Sequence, residues 1–456
     1  MEPVIVMSEP QTTPDRRAGG SKTVLIDAYN LGLEKGTGVA TYARNLSYVV
    51  HDIGHRVDVL YGSRAAVGMT PLMKEIAFFD QNVGEPPWWE LAWRRTRQVA
   101  ESVGGRTAAP VPITGTVIAT PFRSRLPYFD RIWNYPDIFG AAHAHFRIYR
   151  NRLRINLPEK PQIAHWTYPI PIVMPGVKNV YTLHDLVPLR LPYTTLDNKR
   201  RYYRLTKQIL QKADAIVTVS ERSKKDIAQL FDFPEDKIVN TYQAVEIPAK
   251  YRDKPENLVK QEIEGTFRLK YKEYFLFFGS IEPKKNIGRL IEAYLGSGLD
   301  TPLVIVGAQA WKSEQELRLL NDQSVRYLET IGPVTLTRDR VMRLDYAPFP
   351  LLVSLIRGAK AVTFPSLYEG FGLPVLEGML LGTPVLSSTE GSVPEVAGDA
   401  ALLIDPYDPR AIAEGLRALD SDADLRGRLS LAGRKRAQLF SAERFQQRMA
   451  QVYAGL

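Results

Sequence analysis

Residues 361–388 read AVTFPSLYEGFGLPVLEGMLLGTPVLSS. AVTFPS is a short apolar run of strand length, LPVLEGMLLG carries apolar residues at helical spacing, and PVLSS is a second strand-like run. A strand, a helix and a strand joined this closely form a crossover between parallel strands. Two glutamates, Glu369 and Glu377, flank a Gly-Phe-Gly-Leu-Pro turn between the first strand and the helix. Open α/β sheets bind ligands beyond the carboxyl ends of their strands, and Glu369 lies just past such an end. Gly370 and Gly372 permit unusual backbone angles and close approach of a ligand. Pro374 suits a first helical turn, whose free N–H groups and dipole favour an anion such as phosphate. Glu377 lies about one turn further on. A ligand with hydroxyls at both ends and phosphate between them, a nucleotide-sugar, fits this order of groups. Spacing alone is also compatible with a capped surface helix.

The same rhythm runs outward in both directions. TVLIDAY (23–29), NVYTLHD (179–185) and AIVTVS (215–220) read as buried parallel strands in the first half. YFLFFGS (274–280) and PLVIVGA (302–308) read so in the second. Amphipathic segments lie between them, among them 37–54, 200–214 and 286–298. The fold class is therefore α/β, with one doubly wound Rossmann-like sheet in each half. A chain of 456 residues exceeds what one core usually supports, so two domains are expected. Residues 1–22 read as a flexible tail, 23–247 as the N-terminal domain and 248–440 as the C-terminal domain, with the boundary in the polar stretch 248–265. The last segment, about 441–456, reads as a helix with Phe445, Met449 and Val452 on one face.

Residues 66–160 fit the rhythm poorly and read as an insertion, aromatic around PPWWELAWRRTRQ (86–98) and basic at Arg147, Arg150 and Arg154. Such a surface could lie on an anionic membrane or grip a lipid-linked acceptor; a solvated face is the plain alternative. The net charge of +9 permits an anionic partner. The basic runs 147–154 and 199–212 carry no nucleic-acid motif, so no nucleic-acid partner is expected. The absence of cysteine excludes disulfides, thiolate metal sites and thiol nucleophiles. No window approaches a membrane span and no signal-peptide pattern is present, so a cytoplasmic protein, peripheral at most, is expected. His143 and His145 have no evident partner ligands. Asp422 and Asp424 precede a polar helix and read as a cap rather than a metal motif.

The stretch from Phe364 to Pro406 resembles the E-x7-E signature of family-four retaining glycosyltransferases, which have the GT-B fold. The resemblance covers most of 270–456 and weakens through the first half. It implies that Glu369 binds donor-sugar hydroxyls near the reacting carbon. The backbone of Phe371, Gly372 and Leu373 would meet sugar and diphosphate, and Glu377 would hold the ribose. FFGSIEPKKN (277–286) resembles the family's strand-end element, placing Lys284 and Lys285 at the leaving diphosphate. Ser280 stands where many relatives carry arginine. Gly36 and Gly38 resemble the N-domain loop facing diphosphate and acceptor. His184 would line the cleft near the donor sugar, Asp185 is either a site or a turn residue, and His165 belongs to the acceptor side. The terminal helix would complete the acceptor-binding N-domain, and the C-terminal domain would bind the nucleotide. The resemblance further implies front-face transfer with no metal or other cofactor. The donor is a nucleoside-diphosphate sugar: GDP-mannose, or alternatively a UDP-sugar. The acceptor is a saccharide, lipid-linked in surface polysaccharide synthesis. A non-catalytic glycan- or membrane-binding protein on the same scaffold is the rival reading.

Overall fold

The computed structural model describes residues 20–31, 38–63, 70–79, 102–114, 116–117, 126–321, 326–331 and 334–456. Gly36, the aromatic stretch 86–98 and nearly all of the tail 1–22 lie outside them. The chain divides into two compact units. One comprises Met1–Glu34, Ala43–Trp166 and Ile170–Asn179; the other comprises Lys35–Tyr42, Thr167–Pro169 and Val180–Leu456.

The first unit centres on β1 (Thr23–Asp27), whose residues from Val24 onward are buried. Parallel partners are β2 (Arg56–Tyr61) on one side and β7 (Ile163–Trp166) on the other. Beyond β2 lies β5 (Arg131–Asn134), parallel, and β4 (Ala109–Val111) closes that edge antiparallel. Short strands β3 (Arg106–Thr107), β6 (Leu153–Asn156) and β8 (Ile172–Val173) form a separate small sheet. Asp58 is fully buried on β2, where Arg131 and the Trp133 indole N–H satisfy it at 3.1 and 2.8 Å. The 66–160 stretch thus contributes a regular parallel strand, β5, followed by the helix Ile138–Tyr149. Turn residues and polar segments around β5 hide its periodicity in the sequence. That helix ends at Arg150, which is left-handed at φ 58°, and Arg154 lies on β6. Only Arg147 of the three arginines is helical, so they do not form one helical stripe.

In the second unit, β9 (Lys178–Leu183, from Val180 onward), β10 (Ala215–Thr218) and β11 (Ile238–Asn240) pair in parallel. A six-stranded parallel sheet follows: β12 (Phe275–Phe278), β13 (Leu303–Val306), β16 (Val341–Leu344), β17 (Ala361–Phe364), β18 (Val385–Ser388) and β19 (Leu402–Ile404). Its spatial order is β16-β13-β12-β17-β18-β19, so the order reverses between β12 and β17. That is the doubly wound order, and ligands bind where it reverses. Strands β14 (Arg326–Ile331) and β15 (Val334–Asp339) form an antiparallel hairpin before β16.

The polar stretch 248–265 is not open linker. It forms helices Ala249–Arg252 and Glu256–Glu262, buries Val259 and Ile263, and pairs Lys254 with Glu262 at 2.7 Å. The last helix, Ala442–Ala454, buries Phe445, Met449 and Val452, the face its spacing predicted. Asp422 caps the helix Ala423–Ala437, accepting from the Leu425 N–H at 2.8 Å.

Candidate functional site

The loops after β12 and β17 carry Lys284 and Lys285 on one side of the reversal and Glu369 on the other. They are stitched together by their own backbone. The Leu367 N–H donates to the Lys284 carbonyl at 2.8 Å. Asn286, left-handed at φ 63°, donates its buried side-chain amide to the Pro365 and Pro406 carbonyls at 3.0 and 2.7 Å. The third link is ionic: Lys285 Nζ lies 2.7 Å from Glu369 Oε1. Lys285 also sits over the Phe364 ring, 4.5 Å from its centre.

Glu369 and Lys285 are only 6% and 8% exposed. Burial would raise the Glu369 pKa, but Lys285 and then Lys284 outweigh it and hold the carboxyl below its ordinary value. The group is a carboxylate at neutral pH, ready to accept from hydroxyls. Its backbone is fixed as well. The Glu369 carbonyl accepts from the Ser392 N–H at 3.2 Å and hydroxyl at 2.9 Å. Gly391 passes so close that a Cβ there would stand 2.7 Å from the Glu369 nitrogen. Burial would lower the Lys284 pKa, yet Glu282, Glu369 and Asp185 raise it above its ordinary value, so the ammonium keeps its charge. Its Nζ is 3.7 Å from Glu282. Two cations thus stand beside one buried carboxylate.

Gly372, at φ 100°, opens the helix Leu373–Leu380, with Pro374 in the first turn. Phe371 buries its ring against Phe440 and Tyr242, leaving its backbone as the part able to meet a ligand. The Glu377 side chain is half-buried and makes no hydrogen bond among the described residues, while its backbone carbonyl accepts from the Leu381 N–H at 3.1 Å. Burial pushes its pKa up to about 7, with Lys285 pulling the other way. A partly buried carboxyl without donors is suited to receive hydroxyls. Gly38 begins the helix Gly38–Asp52 against the same turn: a Cβ there would lie 3.2 Å from Leu373 Cδ1. The structure therefore brings Gly38, Lys284, Lys285, Glu369, Phe371, Gly372, Leu373 and Glu377 together around the reversal.

His184 follows β9 and is 8% exposed. Its Nε2 is 2.9 Å from the Thr167 carbonyl, which can only accept, so Nε2 carries the proton and Nδ1 the lone pair. Burial, with Lys284 assisting, lowers its pKa, so the ring is neutral. Tyr42 packs edge-on against it at 4.7 Å. Gly370 approaches the same segment: a Cβ on it would lie 2.7 Å from the His184 carbonyl. Asp185 is a turn residue, accepting from the Val187 N–H at 3.1 Å. His165, fully buried on β7, belongs to the first unit.

Some supporting residues carry no local signal in the sequence. The Tyr368 hydroxyl donates to buried Asp226, whose carboxylate also faces Arg222 at 3.3 Å and Arg190 at 3.8 Å. Glu395 accepts from the Glu221 and Arg222 N–H groups at 2.8 and 3.0 Å, capping the helix Glu221–Phe231. These partners are far apart in sequence, and only folding joins them. Asn286 was within reach, because it directly follows the lysine pair.

The order reversal beneath facing charged loops is the ligand-binding edge of a doubly wound α/β enzyme, and comparison with known proteins gives the family. Residues 259–436 match the model described as glycosyl transferases group 1, and residues 112–247 match glycosyltransferase family 4. The O-antigen chain mannosyltransferase B of Escherichia coli is 33% identical over 270 residues, covering 58% of this chain and 67% of that one. The serotype-specific mannosyltransferase WbdA of Escherichia coli is 31% identical over 263 residues, but that match spans only 31% of WbdA. Among solved structures, sucrose-phosphate synthase from Thermosynechococcus elongatus superposes with a TM-score of 0.63 at 17% identity, covering 95% of this chain and 98% of that one. WaaG, a glycosyltransferase involved in lipopolysaccharide biosynthesis, does so at 0.58 and 16%, covering 94% and 99%. The chain belongs to the family-four glycosyltransferases, has the GT-B fold and is a hexosyl-transferring enzyme.

Proposed function

We propose that this enzyme moves a mannosyl residue, with retention at the anomeric carbon, from GDP-mannose to a saccharide acceptor carried on a lipid in surface polysaccharide synthesis. The observation that carries the reading is the buried Lys285–Glu369 pair at the sheet reversal, 2.7 Å apart, with Lys284 beside it and Glu377 without donors one helical turn on. In this reading Glu369 accepts from the donor-sugar hydroxyls and Glu377 from the ribose. The helix start at Leu373 faces the diphosphate. Charge accumulates on the leaving diphosphate, and Lys284 and Lys285 stabilise it as it develops. The diphosphate takes the acceptor proton on the face it leaves, so the chain supplies position and field rather than a nucleophile. His184, neutral with a free Nδ1 lone pair, accepts a hydroxyl of the transferred sugar. Metal is not required, because the lysines meet the diphosphate charge.

Residues 248–440 hold the donor in this reading, and 23–247 with the terminal helix hold the reacting end of the acceptor. The mannosyl choice draws support from the names of the Escherichia coli relatives. No helix among the described residues is long and apolar enough to cross a membrane, so a lipid-carried acceptor would be met at the inner membrane face by a peripheral enzyme. The test is a thermal-shift panel with GDP, UDP and ADP, followed by transfer assays within the responding class. A ligand at ~100 times its Kd adds ~2.7 kcal/mol. A shift with GDP and transfer from GDP-mannose supports the reading. A shift with UDP alone replaces the donor, and no shift in folded protein removes the donor site.

A further inference from the structure

A concave site lies in the same unit, beside the transfer centre. It has a volume of about 770 Å³, within the usual range for small-molecule sites, and its rim includes Tyr193, Arg289, Glu292, Glu314, Leu367 and Tyr407. We infer that this cavity binds the remote sugar units of a neutral saccharide acceptor, holding a growing chain beside the transfer centre. The inference rests on the glycosyl-transfer reading above.

Three observations lead to it. The first is the pair of aromatic platforms. Tyr193 is 60% exposed and Tyr407 46% exposed, although both are large rings. An exposed tyrosine offers an apolar face and a polar tip, which matches the C–H face and hydroxyl edge of a pyranose. The backbone beneath Tyr193 is anchored, and a cation stands over Tyr407. Lys312 Nζ donates to the Tyr193 carbonyl at 2.8 Å, and the Trp311 indole N–H donates to the Thr194 carbonyl at 2.8 Å. The Arg289 guanidinium stands over the Tyr407 ring at 5.8 Å and donates to Asn286 Oδ1 at 2.8 Å.

The second is charge. The lining carries the cations Arg289, Lys312 and Arg318 and the carboxylates Glu292, Glu314 and Glu316, three against three. A balanced, hydrogen-bonding lining favours a neutral polyol over a phosphate or a cation. Glu316 is already used, accepting from the Gly288 N–H at 2.8 Å, so Glu292 and Glu314 are the exposed acceptors.

The third is position. Pro283 and Asn286 line this cavity, and Lys284 and Lys285 stand between them in the chain. Leu367, on the wall, is tied to Lys284 and lies two residues before Glu369. A chain seated here would have its remote units on one side of the turn whose other residues serve the donor.

The experiment compares α-linked mannopentaose with mannobiose, by calorimetric binding and as acceptors, in the wild type and in Tyr407→Ala and Tyr193→Ala. The expected result is at least tenfold tighter binding of the pentaose. Either variant should lose most of that advantage, and the pentaose-to-biose ratio of kcat/KM should fall about tenfold. Saturating GDP should leave pentaose binding in place. Equal binding of the two saccharides, variants that keep the preference, or displacement of pentaose by GDP would each overturn the inference. Failure of the wild type to transfer from any donor would instead remove the functional reading, while the binding measurements still judge the cavity.

Discussion

Replacing Lys285 by methionine isolates the pair at the centre of the site. Methionine keeps much of the volume and the contact with the Phe364 ring but removes the charge. Glu369, 6% exposed, then has Lys284 as its remaining cation. Breaking a buried pair from one side costs about 3–5 kcal/mol, because the other charge stays desolvated. At about 2–4 °C per kcal/mol for a large domain, Tm at pH 7.5 should fall by roughly 6–20 °C. The pH dependence is the sharper readout. The folded-state pKa of Glu369 is depressed, so the pair contributes fully above the ordinary carboxyl value, about 4.3, and its contribution disappears as pH falls through the depressed value. Without Lys285, burial favours the protonated acid. The stability gap between wild type and variant should therefore be widest above pH 5 and narrow steadily below pH 4. Urea unfolding of both proteins across pH 3.5 to 8 measures this, and Lys285→Arg, which keeps the charge, should recover part of the loss. A gap below about 1 kcal/mol at pH 7.5, or one that is constant with pH, would refute the assignment of a buried, charge-holding pair.

Glu369→Gln should reduce transfer by roughly a thousandfold or more while GDP affinity stays within about threefold, since the amide loses an acceptor aimed at the sugar and not at the nucleotide; equal loss of both would make Glu369 structural. Glu377, with its pKa raised to about 7, binds a proton in the folded state where the unfolded chain has released it. Stability therefore falls as pH rises from about 4.5 through 7, and Glu377→Gln should flatten that slope in a pH series of unfolding curves. Gly391→Ala places a Cβ 2.7 Å from the Glu369 nitrogen at φ +64°, so the Glu369 loop must shift; most transfer activity should be lost along with roughly 2 kcal/mol or more of stability, whereas an active, stable variant would show that the loop yields freely. EDTA dialysis should leave the transfer rate unchanged; loss of activity that Mg²⁺ restores would assign the diphosphate charge to a metal.

Much was legible in the chain alone because it is written locally. The apolar runs at 274–280, 302–308, 361–366 and 384–388 specify buried parallel strands, since a strand covered on both faces has no polar side to alternate. The Gly-Phe-Gly-Leu-Pro turn and the Lys-Lys-Asn triplet mark the helix starts that carry the site. The terminal helix buries the face its 3.6-residue spacing predicted. What the chain could not state is pairing across distance. The sequence shows Lys285 and Glu369, but their 2.7 Å contact depends on β12 and β17 lying side by side, which no local pattern encodes. The same holds for Tyr368 with Asp226 and for Glu395 at the start of the helix Glu221–Phe231. The strand at Arg131–Asn134 is hidden because RIWN mixes polar and apolar residues within a polar, turn-rich stretch, whereas AVTF at 361–364 is apolar nearly throughout. Composition and spacing thus set the elements and the chemistry available at their ends. The tertiary fold alone set which ends meet, and with that the protonation of Glu369 and Glu377, because burial and the nearest charge fix a carboxyl's pKa and both are properties of the packed chain.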